Sequence, residues 1–180
     1  TAWIGMKEIG KPKEGETLFV SAASGAVGQV AGQMGRMAGC RVVGCAGSDE
    51  KVAYLTGEIG FDAAFNHRTE GDYLGALKRC CPTGIDVNFE NVGGAMLEAV
   101  IEHANNYARS IQCGAISQYN LVEDERYGIK NLEHIHRKRI HMEGFIVTDH
   151  WNRLDEFIAE MGNWLKFGAM TYKVDITEGL

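Results

Sequence analysis

The segment Ala22-Ala23-Ser24-Gly25-Ala26-Val27-Gly28 constrains the fold more than any other stretch of the chain. It follows a short apolar run at residues 17–21. It opens a stretch in which Val27, Val30, Ala31, Met34, Met37 and Ala38 recur at helical spacing until Gly39 ends it. Strand, glycine turn and amphipathic helix, in that order, are the context required of a dinucleotide fingerprint, here in an A-x-x-G-x-x-G form. Gly25 lets the backbone approach a pyrophosphate, which the N–H groups and dipole of the following helix attract. Gly28 lets helix and strand pack closely. A purely structural glycine turn is the competing reading, and the order of the elements favours the dinucleotide.

The rest of the chain repeats the alternation. Strand-like runs occur at residues 41–45, 63–66, 85–89, 108–113 and 140–147. Helical segments fall between them, from a Ser48 or Asp49 cap to about residue 56, near 71–80, and at 94–104. A last helix over 151–167 sets Trp151, Leu154, Phe157, Ile158, Met161, Trp164 and Leu165 on one face, and 120–131 is the longest irregular piece. Short strands alternating with helices make βαβ units, hence a parallel sheet. The expected class is α/β, a doubly wound Rossmann sheet with helices on both faces and ligands beyond the carboxyl ends of its strands.

Composition narrows the function. A chain of 180 residues, 45% hydrophobic, has the apolar mass for one ordinary domain core. Its formal charge of −6 speaks against nucleic acid as a partner. The basic run His-Ile-His-Arg-Lys-Arg-Ile-His at 134–141 reads as a solvated junction. No apolar run reaches bilayer length, so no membrane partner is expected. The opening residues do not read as a signal peptide, and the expected location is the cytoplasm. Five cysteines, an odd number with no C-x-x-C pair, read as reduced intracellular thiols rather than a metal site.

The tip of the second strand addresses which dinucleotide binds. An NAD site places a carboxylate there for the ribose 2′-hydroxyl. This strand ends Val43-Gly44-Cys45-Ala46-Gly47-Ser48, and Asp49 reads as part of a helix first turn. Lys51 is near enough to meet a 2′-phosphate as a point charge, with Ser48 as a further donor. NADP(H) is the expected cofactor.

Five ordered strings carry a resemblance: residues 22–28, Gly47-Ser-Asp-Glu-Lys51, Gly60-Phe-Asp-Ala-Ala-Phe-Asn66, Glu90-Asn-Val-Gly-Gly94 and Gly114-Ala-Ile-Ser-Gln-Tyr-Asn120. Together they resemble the zinc-independent medium-chain dehydrogenase/reductases. The nearest branch is the NADP-dependent alkenal/prostaglandin reductases, leukotriene 12-hydroxydehydrogenase-like, with curcumin-reductase-like members. The resemblance implies that residues 1–180 are the NADP-binding domain of a longer two-domain enzyme. A barrel-like catalytic domain would precede Thr1 and a returning segment would follow Leu180. By the same resemblance the cofactor contacts fall on Ala23, Ser24, Gly25, Ala26, Val27 and Gly28, then Ser48, Lys51, His67 and Asn91. They continue over Cys113, Gly114, Ala115, Ile116, Ser117 and Tyr119, and end at Phe145, Ile146 and Val147 beside the nicotinamide. Two positions depart from the family pattern: His67 stands where a tyrosine is usual, and Glu90 replaces the usual aspartate. A homodimer is implied too.

The implied reaction is reduction of the carbon–carbon double bond of an α,β-unsaturated ketone or aldehyde by hydride transfer. Negative charge then builds on the carbonyl oxygen, which needs a hydrogen-bond donor. Tyr119 matches the family tyrosine assigned to that role, and a phenol is a neutral donor at pH 7. On its own this chain is expected to be inactive. A quinone reductase-like enzyme of the same superfamily and a non-catalytic NADP-binding module remain the other readings.

Overall fold

The computed structural model describes residues 1–174 and 176–179; Asp175 and Leu180, inside the expected 1–180 domain, lie outside the described residues. The chain opens with α1 (Ala2–Ile4), which runs on as a π-helical stretch, Gly5–Gly10. Then come β1 (Thr17–Val20), α2 (Ala26–Met37), β2 (Arg41–Ala46) and α3 (Asp49–Tyr54), the last extended by π-helical Leu55–Ile59. They are followed by β3 (Ala63–Asn66), α4 (Tyr73–Cys80), β4 (Ile85–Glu90), α5 (Gly94–His103) and β5 (Ala104–Gln112). The chain continues through α6 (Glu133–Lys138), β6 (His141–Gly144) and α7 (Leu154–Lys166).

The six strands lie in the order β3-β2-β1-β4-β5-β6, and every pairing is parallel. The strand order reverses between β1 and β4, which opens a crevice beyond their carboxyl ends. Alternation along β1 divides the core: Leu18 and Val20 face α1, α2 and α7, whereas Phe19 faces α4 and α5. Phe19 stacks on Phe65 of β3 with ring centroids 6.1 Å apart. A smaller cluster of Leu97, Ile101, Ala104, Ala108 and Ile140 sits under α6. The expected doubly wound sheet, covered on both faces, is the one observed. No helix among the described residues is long and apolar enough to cross a membrane.

Several elements differ from the sequence-based expectation. Residues 2–10 form a buried helical segment where no element is expected. Its glycines disguise it, yet they serve packing: a Cβ at Gly5 or Gly10 would come within 2.9 or 2.8 Å of Ile111. β5 starts at Ala104 rather than 108, reached through a register shift on β4 and a left-handed Tyr107. β6 stops at Gly144, so Phe145, Ile146 and Val147 leave the sheet. The expected 151–167 helix divides into a 3-10 stretch, Val147–Arg153, with a break at His150, and α7. Only Phe157, Met161 and Trp164 pack inward, while Trp151 and Ile158 stay exposed. The basic run becomes helix α6, whose Lys138 ammonium donates to the carbonyls of Ile101 and Glu102 and so closes the C-terminus of α5.

Two stability predictions follow from this packing. A Cβ at Gly32 would lie 2.0 Å from Cζ of buried Phe61. Gly32→Ala should therefore cost about 2 kcal/mol in urea unfolding, and Phe61→Leu in the same chain should recover part of it. Burial pushes the Cys45 and Cys81 thiols up to about 12, from 9.0. A raised folded-state pKa gives stability that is present below pH 9 and lost as pH climbs towards 12. Each thiol removes about 1.4 kcal/mol per pH unit above 9, so urea midpoints should drop between pH 8 and pH 10.5.

Candidate cofactor and active site

The glycine turn is built from backbone bonds. Ser21 N–H donates to Phe89 at 3.1 Å and Ala23 N–H to Cys45 at 2.8 Å, which ties the turn to both neighbouring strands. Ala22 adopts left-handed φ (49°), and its carbonyl accepts from Gly25 N–H at 3.1 Å. Gly25 is extended and starts α2 with no side-chain cap. The N–H groups of the first turn, at Ala26, Val27 and Gly28, therefore have no intrahelical acceptor. Gly25 and Ala26 are exposed at this end and Ser24 is half-buried. Buried Ala23 has committed its N–H to Cys45. A Cβ at Gly28 would fall 2.5 Å from the Ala22 carbonyl oxygen and 2.7 Å from Ala23 Cα. The turn is thus a glycine-lined cradle with open N–H donors, which suits a diphosphate.

Beside it stands Glu90, fully buried at 0% exposure. Its carboxylate accepts from Ser21 Oγ at 2.9 Å, Val92 N–H at 2.7 Å and Gly93 N–H at 2.8 Å. Asn91 locks onto the same point: its N–H donates to Ser21 Oγ and its side-chain amide to the Ser21 carbonyl at 2.7 Å. The loop after β5 lies on this turn. Cys113 and Gly114 N–H donate to the Glu90 carbonyl, Ile116 N–H to Asn91, and Ser117 N–H and Oγ to Val92.

Tyr119 is 59% exposed, and its hydroxyl oxygen accepts from Ala115 N–H at 2.9 Å. Gly114 makes room for that hydroxyl, since a Cβ there would lie 2.8 Å away. Cys113, Gly114, Ala115, Tyr119, Phe145 and Ile146 line one cavity of about 550 Å³. Val147 borders a different, 160 Å³ cavity with Trp3 and Phe157. Cys45, His67, Val92, Gly93 and Ser117 line a third, of about 300 Å³.

At the tip of β2, Ser48 is already engaged. Its hydroxyl oxygen caps α3 by accepting from Lys51 N–H at 3.3 Å, and it donates to Glu50 at 3.4 Å. Asp49 accepts from the Asn66 amide, and Lys51 is exposed. A Cβ at Gly47 would meet His67 Nε2 and Arg68 Nε at 3.4 Å each. Burial first, and then the Arg68 charge, hold the His67 pKa below its ordinary value. Arg68, which the sequence reading did not single out, stands beside His67. Only the β2–β3 pairing, Ala46 beside Asn66, brings it to this tip.

Comparison with known proteins groups these features. Residues 26–163 match the family described as zinc-binding dehydrogenase. The chain is 50% identical over 180 residues to the NADP(+)-dependent 2-alkenal reductase of Nicotiana tabacum, spanning all of this chain and 52% of that protein. It is 43% identical over 185 residues to the NADPH-dependent curcumin reductase of Escherichia coli, spanning 100% and 53%. CurA from Vibrio vulnificus, solved with NADPH, superposes with a TM-score of 0.89 at 42% identity, over 96% of this chain and 52% of that one. The chain spans about half the length of these relatives. The family description names zinc, but no group of three or more His, Cys, Asp or Glu among the described residues could hold a metal ion. Fold, glycine cradle and similarity agree: the chain belongs to the zinc-binding dehydrogenase family, in the branch that holds these NADP-dependent reductases.

Proposed function

We propose that residues 1–180 are the NADP(H)-binding Rossmann domain of a longer, two-domain reductase that saturates the carbon–carbon double bond of α,β-unsaturated ketones or aldehydes. The observation that carries this reading is the Tyr119 hydroxyl, held by Ala115 N–H and opening into the cavity formed by Cys113–Ala115 and Phe145–Ile146. The names of the relatives, an NADP-dependent 2-alkenal reductase and an NADPH-dependent curcumin reductase, support it. So does the open cradle at the start of α2.

In this reading the N–H groups of Ala26, Val27 and Gly28 hold the diphosphate, with Ala23, Ser24 and Gly25 shaping the turn and letting it approach. Lys51 and His67 meet the 2′-phosphate, Ser48 fixing the helix that carries Lys51. Asn91, Cys113, Gly114, Ala115, Ile116 and Ser117 bound the ribose and nicotinamide, Phe145 and Ile146 border the ring, and Val147, on the neighbouring cavity, backs them. When bound, the reduced nicotinamide supplies the hydride. Tyr119 does the protein's electrostatic work. Its oxygen already accepts from Ala115, which leaves its proton to donate to the substrate carbonyl oxygen as negative charge develops there. The proposal extends to a cytoplasmic homodimer whose partner molecules are enones or enals, without nucleic acid or membrane. It draws support from the charge of −6 and from the outer edge of β6, which pairs with no strand among the described residues.

In the full-length protein, Tyr119→Phe should lower kcat with an enone at least about tenfold while NADPH affinity stays within twofold. Unchanged turnover would remove Tyr119 from the reaction. Glu90→Gln keeps a carbonyl oxygen for the Val92 and Gly93 donors but removes the charge and sets its NH2 against the Asn88 amide. It should cost about 2 kcal/mol of stability and weaken NADPH binding, read by urea unfolding and by titration of the same variant.

A further inference from the structure

The tip of β2 holds more cationic chemistry than Lys51 alone provides. A doubly wound sheet presents the adenosine ribose of a dinucleotide at this tip, and an arginine there suits a 2′-phosphate. Gly47 presents bare backbone here, and the ring nitrogen of His67 and Nε of Arg68 both border it, each 3.4 Å from where a Cβ would stand. The strand pairing sets their level, since His67 N–H donates to the Ala46 carbonyl at 3.0 Å. The turn that carries Arg68 is pinned as well: Arg68 N–H donates to Asn66 Oδ1 at 3.1 Å, and the Asn66 amide donates to Asp49 at 2.8 Å.

Three cations compete for the role. Lys51 follows Asp49 and Glu50 in the first turn of α3, and offers a point charge on a flexible stem. His67 is held towards its neutral form by burial and by its neighbour, so it serves as a donor. Arg68 is exposed and permanently charged. Arg79, Arg109 and Arg153 each pair with a glutamate, whereas Arg68 has no ion-pair partner among the described residues. Its planar fork can grip two phosphate oxygens at once.

We infer that Arg68 is the specificity-determining residue for the adenosine 2′-phosphate, gripping it across Gly47 with His67 as second donor and Lys51 in support. The inference rests on the NADP(H) reading above. The test titrates the full-length protein with NADPH and with NADH. Arg68→Ala should weaken NADPH at least tenfold and leave NADH within twofold, the NADH arm also reporting that the variant is folded. Arg68→Lys should recover part of the loss, and Lys51→Ala should lose less than Arg68→Ala. If Arg68→Ala keeps its NADPH affinity while Lys51→Ala loses the preference, Arg68 is not the determinant and the cofactor reading stands. A wild-type protein that binds both dinucleotides equally, or neither, overturns the reading and the inference together.

Discussion

Removing a carboxylate from water is costly unless donors replace the lost hydration, and Glu90 is such a group with no exposed surface at all. Its donors come from separate stretches: Ser21 at the end of β1, Val92 and Gly93 at the entry to α5, and Asn88 within its own strand. The glycine turn begins one residue after Ser21, and α5 begins one residue after Gly93. One side chain therefore sets the spacing of two helix N-termini on either side of the crevice. The backbone carbonyl of the same residue holds the loop that leads to Tyr119. Phosphate cradle and phenol are thus referred to a single buried anchor, and neither can shift far without breaking it.

Strand positions were legible wherever an apolar run was fully covered. The runs at 17–21, 41–45 and 85–89 agree with the observed strands to within a residue, because a parallel strand buried on both faces has little other use for Val, Ile and Phe; 63–66, a half-buried edge strand, agrees as well. Ser48 was legible as a helix cap for a local reason, its own contact with Lys51 N–H. The segment 2–10 was not legible, because its Gly5 and Gly10 answer to Ile111, a hundred residues away. The 151–167 face misled in a different manner. Helical spacing reports a stripe that could be buried, and here the sheet takes up only Phe157, Met161 and Trp164.

The candidate site divides along the same line. Gly25 and Gly28 stood out because motif and neighbouring elements lie together in sequence, and Tyr119 only because its string resembles the family's. Arg68 did not, since its meaning depends on β3 lying beside β2, a tertiary fact. The departure at His67 also reads differently in three dimensions. A histidine there is not an isolated replacement for a phenol, but one of two nitrogen-bearing side chains that border Gly47.

The placement of β1 bears on how the chain is made. β1 lies between β2 and β4, and its β4 partners, Val87 to Phe89, follow it by about seventy residues. Trp3 donates its indole N–H to Glu160, 157 positions further on. At a synthesis rate of roughly 5–20 residues per second, the ribosome adds the about seventy residues between β1 and β4 in about 4–14 seconds, and those from Trp3 to Glu160 in about 8–31 seconds. During this interval Leu18, Phe19 and Val20 have their β4 flank unpaired, and Trp3 lacks the partner for its indole N–H. The nascent chain thus carries a central, fully buried strand half-protected over that interval, which is where a chaperone would find it open.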